Sequence, residues 1–195
     1  MKYKEHMDIE IKPLTSDLID DYLYFFDEVA FSDNPDWSAC YCYFHHYPGS
    51  VKKWMKRTKE QNREEARVAV LNGIINGFLA YEYGKPIGWI NADFKEGYVK
   101  TPYEEKVKPK GEGETASIVC MIVAPSHRKK GIARVLLKEA LIKLKERNIR
   151  WVEAYPRLGE LSDAHHYHGP LSLYESEGFT IVKELKNMVV VLKEI

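Results

Sequence analysis

Three features of this chain predict an α/β architecture, a mixed central β-sheet flanked by helices. Residues Thr115–Ala124 are a nearly unbroken apolar run, the pattern of a strand buried on both faces and therefore central to a sheet. A basic, glycine-containing turn follows and opens an amphipathic helix, with Ala133, Leu136, Leu137, Ala140, Leu141 and Leu144 on one stripe and Lys138, Lys143, Lys145 and Glu146 off it. Upstream, the β-rich runs Phe78–Tyr83 and Ile87–Phe94 are separated only by Gly84-Lys85-Pro86, a connection short enough for an antiparallel hairpin.

The other elements follow from periodicity and punctuation. Alternation over Ile9–Leu14 predicts a first strand, and Ser16-Asp17 an N-cap for a helix through Leu18, Tyr22, Phe25, Phe26 and Val29. Phe31–Ser50 breaks this pattern: Pro35, Pro48 and Gly49 stand among Trp37, Tyr41, Tyr43, Phe44 and Tyr47, an aromatic-rich excursion or a broken helix. Helical spacing resumes at Val51 and runs to about Ile75, with Ala66, Val70 and Ile74 at intervals of four, and Asn76-Gly77 ends it. Residues 95–114 hold few apolar side chains and several breakers, which predicts a long exposed loop. Ile149–Tyr155 is a strand, Tyr174–Gly178 a short helix stopped by Gly178, and Phe179–Glu184 and Met188–Leu192 are two closing strands.

A chain of 195 residues, 45% hydrophobic and 30% charged, fits one domain over 1–195 with a core of its own. Lys plus Arg and Asp plus Glu are 29 each, so net charge points to neither nucleic acid nor an anionic membrane as partner. No apolar run approaches the roughly 20 residues that span a bilayer. The N-terminus, M-K-Y-K-E-H-M-D-I-E, lacks the apolar stretch of a signal peptide, so a cytoplasmic location is expected. Cys40, Cys42 and Cys120 are an odd number, which argues for thiols rather than a disulfide framework.

The chemistry concentrates at V-A-P-S-H-R-K-K-G-I-A, Val123–Ala133. A helix N-terminus presents unpaired N–H groups and a positive dipole end, and Gly131 lets a pyrophosphate approach the main chain where a side chain would block it. Arg128, Lys129 and Lys130 add positive charge around that point. The alternative for so short a basic run is a solvated turn capping a helix. Neither G-x-x-x-x-G-K-[ST] nor G-x-G-x-x-G occurs, which disfavours an ATPase or a dinucleotide enzyme.

Two segments together resemble the GNAT family of acyl-CoA-dependent N-acetyltransferases. Arg128-Lys129-Lys130-Gly131-Ile132-Ala133 matches the family's R/Q-x-x-G-x-G/A pyrophosphate loop, and Leu173-Tyr174-Glu175-Ser176-Glu177-Gly178-Phe179 looks like its L-Y-x-x-x-G-F, about 45 residues on. The likeness is best from about residue 78 onward and follows the order of elements more loosely over the whole chain. The resemblance implies the GNAT fold and acetyl-CoA as cosubstrate. It also implies a loop Arg128–Ala133 holding the pyrophosphate, and a splayed strand whose residues Ile122, Val123 and Ala124 offer backbone groups to the pantetheine arm and thioester. An N–H donor preorganised there would stabilise the oxyanion formed when an amine attacks.

By the same resemblance, Tyr174 protonates the departing CoA thiolate; the alternative is a packing tyrosine. Glu153, alone among uncharged residues in Trp151-Val152-Glu153-Ala154-Tyr155, is the candidate base for the ammonium form of the acceptor. Its alternative is a wet sheet face or a pair with Arg150 or Arg157. The asparagine usual before the family's tyrosine is missing, and His165-His166-Tyr167-His168-Gly169-Pro170 stands in a longer loop instead, where imidazoles could relay protons or contact substrate.

Cys40-Tyr41-Cys42 with His45-His46 invites a zinc reading, but common zinc sites space their cysteines by two to four residues, so no metal is expected. An aromatic wall of the acceptor pocket and plain core packing are the other readings. The expected activity is transfer of acetyl from acetyl-CoA to a primary amine by direct attack in a ternary complex, since neither Cys120 nor any Ser/His/Asp set suggests a covalent intermediate. The acceptor is a small molecule or a peptide amine, and a homodimer is left open. The alternative class is a non-catalytic acyl-CoA-binding module that contacts a protein partner.

Overall fold

The computed structural model describes residues 9–104, 113–159 and 162–195. Part of the expected loop at 95–114 and most of the N-terminal stretch read for a signal peptide lie outside the described residues.

Seven strands form one sheet among the described residues: β1 (Ile9–Pro13), β2 (Phe78–Glu82), β3 (Lys85–Phe94), β4 (Glu114–Val123), β5 (Ile149–Ala154), β6 (Thr180–Glu184) and β7 (Val189–Glu194), in spatial order β1-β2-β3-β4-β5-β7-β6. The predicted buried strand is β4, at the centre of that order. All neighbours pair antiparallel except β4 and β5. The sheet is therefore mixed, as expected, and the parallel pair is joined by helix α4 (Ile132–Glu146).

Helix α4 lays Leu136, Leu137, Ala140 and Leu144 on one face of the sheet, where they join Ala116, Ile118, Met121, Val152 and Ala154. The short α5 (Leu171–Ser176) packs Leu173 and Tyr174 into the same layer. Helix α1 (Ile19–Tyr24) is preceded by one 3₁₀ turn and continued by a π turn to Val29. With α3 (Lys59–Leu71) and the aromatic excursion it covers the opposite face, where Tyr22, Phe25, Phe26, Tyr41, Val70, Trp89, Cys120 and Ile122 form a second core.

Three local expectations are corrected. The helix expected from Val51 to Ile75 is two pieces, α2 (Val51–Trp54) and α3, because Thr58 and Gln61 close a reciprocal capping box that starts a new helix. Its end comes at Asn72-Gly73, with Gly73 at φ +66°, and not at Asn76-Gly77; Ile74 is consequently exposed rather than on the buried stripe. The first helical stretch is entered from extended Thr15, so Ser16-Asp17 are already inside it. The hairpin turn is Tyr83-Gly84, both in the left-handed region at φ +50° and +71°, which leaves Lys85 and Pro86 in β3.

What positions the site is a bulge in β4. Asn91 of β3 pairs with Cys120 and Ala92 with Ile118, so Val119 is an extra residue. At the same place β5 parts from β4: the parallel ladder runs from Glu114↔Ile149 to Ile118↔Ala154 and stops, while β4 continues to Val123 against β3. The edge of β4 from Val119 onward therefore has no strand beside it on the β5 side.

Candidate active site

The polypeptide reaches α4 through a 3₁₀ turn at Pro125–His127 and then Gly131, which sits at φ +89°. A glycine N-cap carries no side-chain oxygen to accept the first-turn N–H groups, so those of Ile132 and Ala133 have no partner within the helix, while that of Arg134 closes onto the Gly131 carbonyl at 3.0 Å. A Cβ built on Gly131 would meet no atom within 4 Å; any side chain there would project into the groove in front of the helix. Glycine suits the backbone angle and leaves that space open.

That groove, about 540 Å³, lies between the loop and α4 on one side and residues 166–173 on the other. Of the residues singled out from sequence, Val123, Arg128, Lys129, Gly131, Ile132 and Ala133 line it. Ile122 and Ala124 are buried and Lys130 is exposed, and none of the three lines the groove. The Ala124 N–H is already given to the Ile87 carbonyl, at 2.8 Å.

Arg128 is not an open cation. Its guanidinium forks onto Asp33 of the aromatic excursion, with one bond at 3.1 Å and a second, shorter one, while Nε reaches the Val123 carbonyl at 3.2 Å. The pair holds the Asp33 carboxyl below its usual range, chiefly through the hydrogen bonds from Arg128. Arg134, one turn into α4, also lines the groove and bonds Ser176 Oγ at 2.9 Å and the Glu177 carboxylate.

Glu153 is 1% exposed, on the sheet face opposite α4. Its Oε1 accepts from Ser117 Oγ at 2.6 Å and from the Tyr155 hydroxyl, and pairs with Lys95 Nζ at 2.7 Å. Its Oε2 has no partner among the described residues. Neither arginine of the alternative reading pairs with it: Arg150 pairs with Glu194, and Arg157 stacks over the Tyr167 ring. Burial and the neighbouring Glu153 charge push the Tyr155 phenol well up, so that group remains a donor at neutral pH.

Tyr174 is fully buried, and its hydroxyl donates to the His168 carbonyl at 2.8 Å. Burial raises its phenol well above the ordinary value. A Cβ on Gly169 would stand 2.9 Å from the Tyr174 ring, so the chain passes over this tyrosine only because residue 169 is glycine at φ +77°.

The middle of the excursion is core. Tyr41, Cys42, Tyr43, His45 and His46 are buried, and Tyr41 and Cys42 take left-handed angles of φ +46° and +51°. The Tyr22 hydroxyl on the Tyr41 carbonyl and Asn91 Nδ2 on Cys42 Sγ, at 3.2 Å, hold that bend. His45 Nδ1 meets the Lys100 carbonyl at 3.0 Å and His46 Nε2 faces Asn91 at 3.4 Å; desolvation pushes both imidazoles down to about 4. Among the described residues no three His, Cys, Asp or Glu side chains converge as a metal site would require.

Sequence reasoning missed Lys95, Ser117, Tyr155 and Asp33. Ser117, a hydroxyl inside a largely apolar strand, was the one signal available; the others depend on long-range contact.

The match to known proteins agrees with this geometry. The chain belongs to the GNAT acetyltransferase family, whose model covers residues 26–168. No curated protein sequence matches it. Its fold is similar to that of PaiA N-acetyltransferase from Thermoplasma acidophilum, a structure in complex with coenzyme A, at 16% identity and TM-score 0.58, over 97% of this chain and 100% of that one. It is also similar to the GNAT domain of S. lividans PAT, at 16% identity and TM-score 0.57, over 96% and 90% of the two chains. At these identities the likeness concerns the fold.

Proposed function

We propose that this acetyltransferase works as one domain over 1–195 and moves the acetyl group of acetyl-CoA onto a primary amine, of a small molecule or a peptide, by direct attack in a ternary complex. The observation that carries the reading is the conjunction of the α4 N-terminus with the edge of β4 that β5 leaves: a pyrophosphate seat and a stretch of strand edge with no strand paired to it, on one groove.

In this reading Gly131, Ile132 and Ala133 hold the pyrophosphate through main-chain N–H groups, and Arg128 and Lys129 neutralise it. The edge of β4 orients the pantetheine arm and thioester, with a backbone N–H set to receive the oxyanion. Glu153 takes one proton from the acceptor ammonium; its buried Oε2, without a partner among the described residues, supports that role. The amine nitrogen bonds to the carbonyl carbon, the C–S bond breaks as the intermediate collapses, Tyr174 delivers a proton to the departing thiolate, and the second proton of the nitrogen, shed as the amide forms, returns to the Tyr174 phenolate through solvent. The balance is amine plus thioester to amide plus thiol.

Thiol release from acetyl-CoA across a panel of alkyl and peptide amines, run beside CoA binding, tests this. Tyr174→Phe should bind acetyl-CoA and lose about 100-fold or more in turnover. CoA binding with no thiol release for any amine would instead favour the binding-module reading.

A further inference from the structure

The open edge of β4 is covered by the chain's own residues. Past the point where β5 departs, the Met121 N–H donates to the Tyr167 carbonyl at 2.6 Å, and the Val119 carbonyl meets His168 Nδ1 at 3.0 Å. These are a donor and an acceptor two residues apart on one strand, the pair that a neighbouring strand would normally satisfy. The segment His165–Pro170 supplies both partners from a turn closed by Gly169 N on the His166 carbonyl, at 2.7 Å.

The third anchor is the Tyr174 hydroxyl on the His168 carbonyl, at 2.8 Å. The segment is also clasped from outside: the Trp37 ring stands edge-on to His165 and to Tyr167, with centroids at 4.6 Å and 5.3 Å. His166, Gly169 and Pro170 form one wall of the groove.

We propose that His165–Pro170 is a plug: in the resting enzyme it fills the acyl seat on β4, and an acyl thioester enters only by displacing it. This rests on the acyl-CoA reading of the groove. The groups it engages are those that reading assigns to the reaction, the β4 backbone edge and the Tyr174 hydroxyl. A pantetheine arm, with its amides and thioester carbonyl, can offer β4 an acceptor and a donor as the Tyr167 carbonyl and the His168 imidazole do, so it exchanges for the plug bond by bond. The phosphate seat at Gly131 involves none of these contacts. Binding therefore splits into an end that is ready and an end that must be opened, and Trp37 is freed as the second end opens.

The test compares acetyl-CoA with adenosine 3′,5′-bisphosphate, which lacks the pantetheine arm. The readout is Trp37 emission, isolated by subtracting a Trp37→Phe variant. Expected are binding of both, with a Trp37 change from acetyl-CoA alone. His168→Ala, checked for its fold by circular dichroism, removes one anchor and should tighten acetyl-CoA about 2- to 10-fold, leaving the bisphosphate unchanged. If both ligands bind and Trp37 does not respond to acetyl-CoA, or if His168→Ala leaves its affinity equal or weaker, the plug is refuted while the acyl-CoA reading stands. If neither ligand binds, the acyl-CoA reading falls and the plug with it. Should His168→Ala fail to fold, the Trp37 comparison on the unmodified protein decides alone.

Discussion

Replacing Lys95 by methionine strips Glu153 of its countercharge, and the structure allows the cost to be sized. Nζ and Oε1 are 2.7 Å apart, Glu153 is 1% exposed and the Lys95 side chain 13%. At an effective dielectric of about 20, two unit charges at that distance attract by about 6 kcal/mol. Part of this is returned when the lysine regains its hydration, and breaking a buried pair by removing one partner costs about 3–5 kcal/mol. Lys95 keeps some solvent contact, so about 3 kcal/mol is expected for Lys95→Met. Glu153→Gln removes the charge but keeps an oxygen for Ser117 and Tyr155, and should relieve most of that loss when combined with Lys95→Met. Urea unfolding of the two single variants, the double variant and the parent gives the coupling, expected at about 2 kcal/mol or more. Additivity within about 0.5 kcal/mol would refute the claim that this pair organises the buried network.

Three further outcomes are expected. Gly131→Ala should cost about 1–2 kcal/mol of stability, from the left-handed angle alone since its Cβ meets nothing, yet weaken acetyl-CoA more than 10-fold by calorimetry; equal affinity would remove the loop from the binding site. Asp33→Asn releases Arg128 from a half-exposed pair, so stability should change by less than about 1 kcal/mol while CoA binding tightens, and a weaker affinity would mean the pair preorganises the loop. The third concerns acid. His45 and His46 are held down to about 4 and His168 to about 3, each chiefly by burial, so the unfolded chain binds more protons than the folded one below its histidine range. Stability is then fully present above about pH 6.5 and is lost as pH falls through 4 and toward 3, at most about 3 kcal/mol for each of the first two. Melting temperatures from pH 7 to 4 check this, and His45→Gln should flatten the profile.

Much of the site's framework was legible because it is local. The α4 stripe, the central β4 run and the Arg128–Ala133 turn each declare themselves within a dozen residues. Where local reading failed, the cause was local too: Thr58-Lys59-Glu60-Gln61 is a capping box, a helix start inside what reads as one long helix, and Asn72-Gly73 offers a stop earlier than Asn76-Gly77. Glu153 was found as a charge in an apolar strand, but its partner was sought among nearby arginines, whereas Lys95 arrives from the turn after β3. The aromatic excursion gave no period to read because its bend is held by Tyr22 and Asn91 from other elements.

The phosphate-type turn that opens α4 was determined by the sequence alone, since a glycine in a short basic stretch between an apolar strand and an amphipathic helix sets backbone angles and free N–H groups without help from elsewhere. The condition of the site was decided only by the tertiary structure. The bulge at Val119 depends on the register between β3 and β4, the hold of Asp33 on Arg128 on how the excursion packs, and the engagement of Met121 and Tyr174 by Tyr167 and His168 on where the 165–170 segment comes to rest. These contacts join residues far apart in the chain. Burial and register select their partners, and no local pattern encodes either.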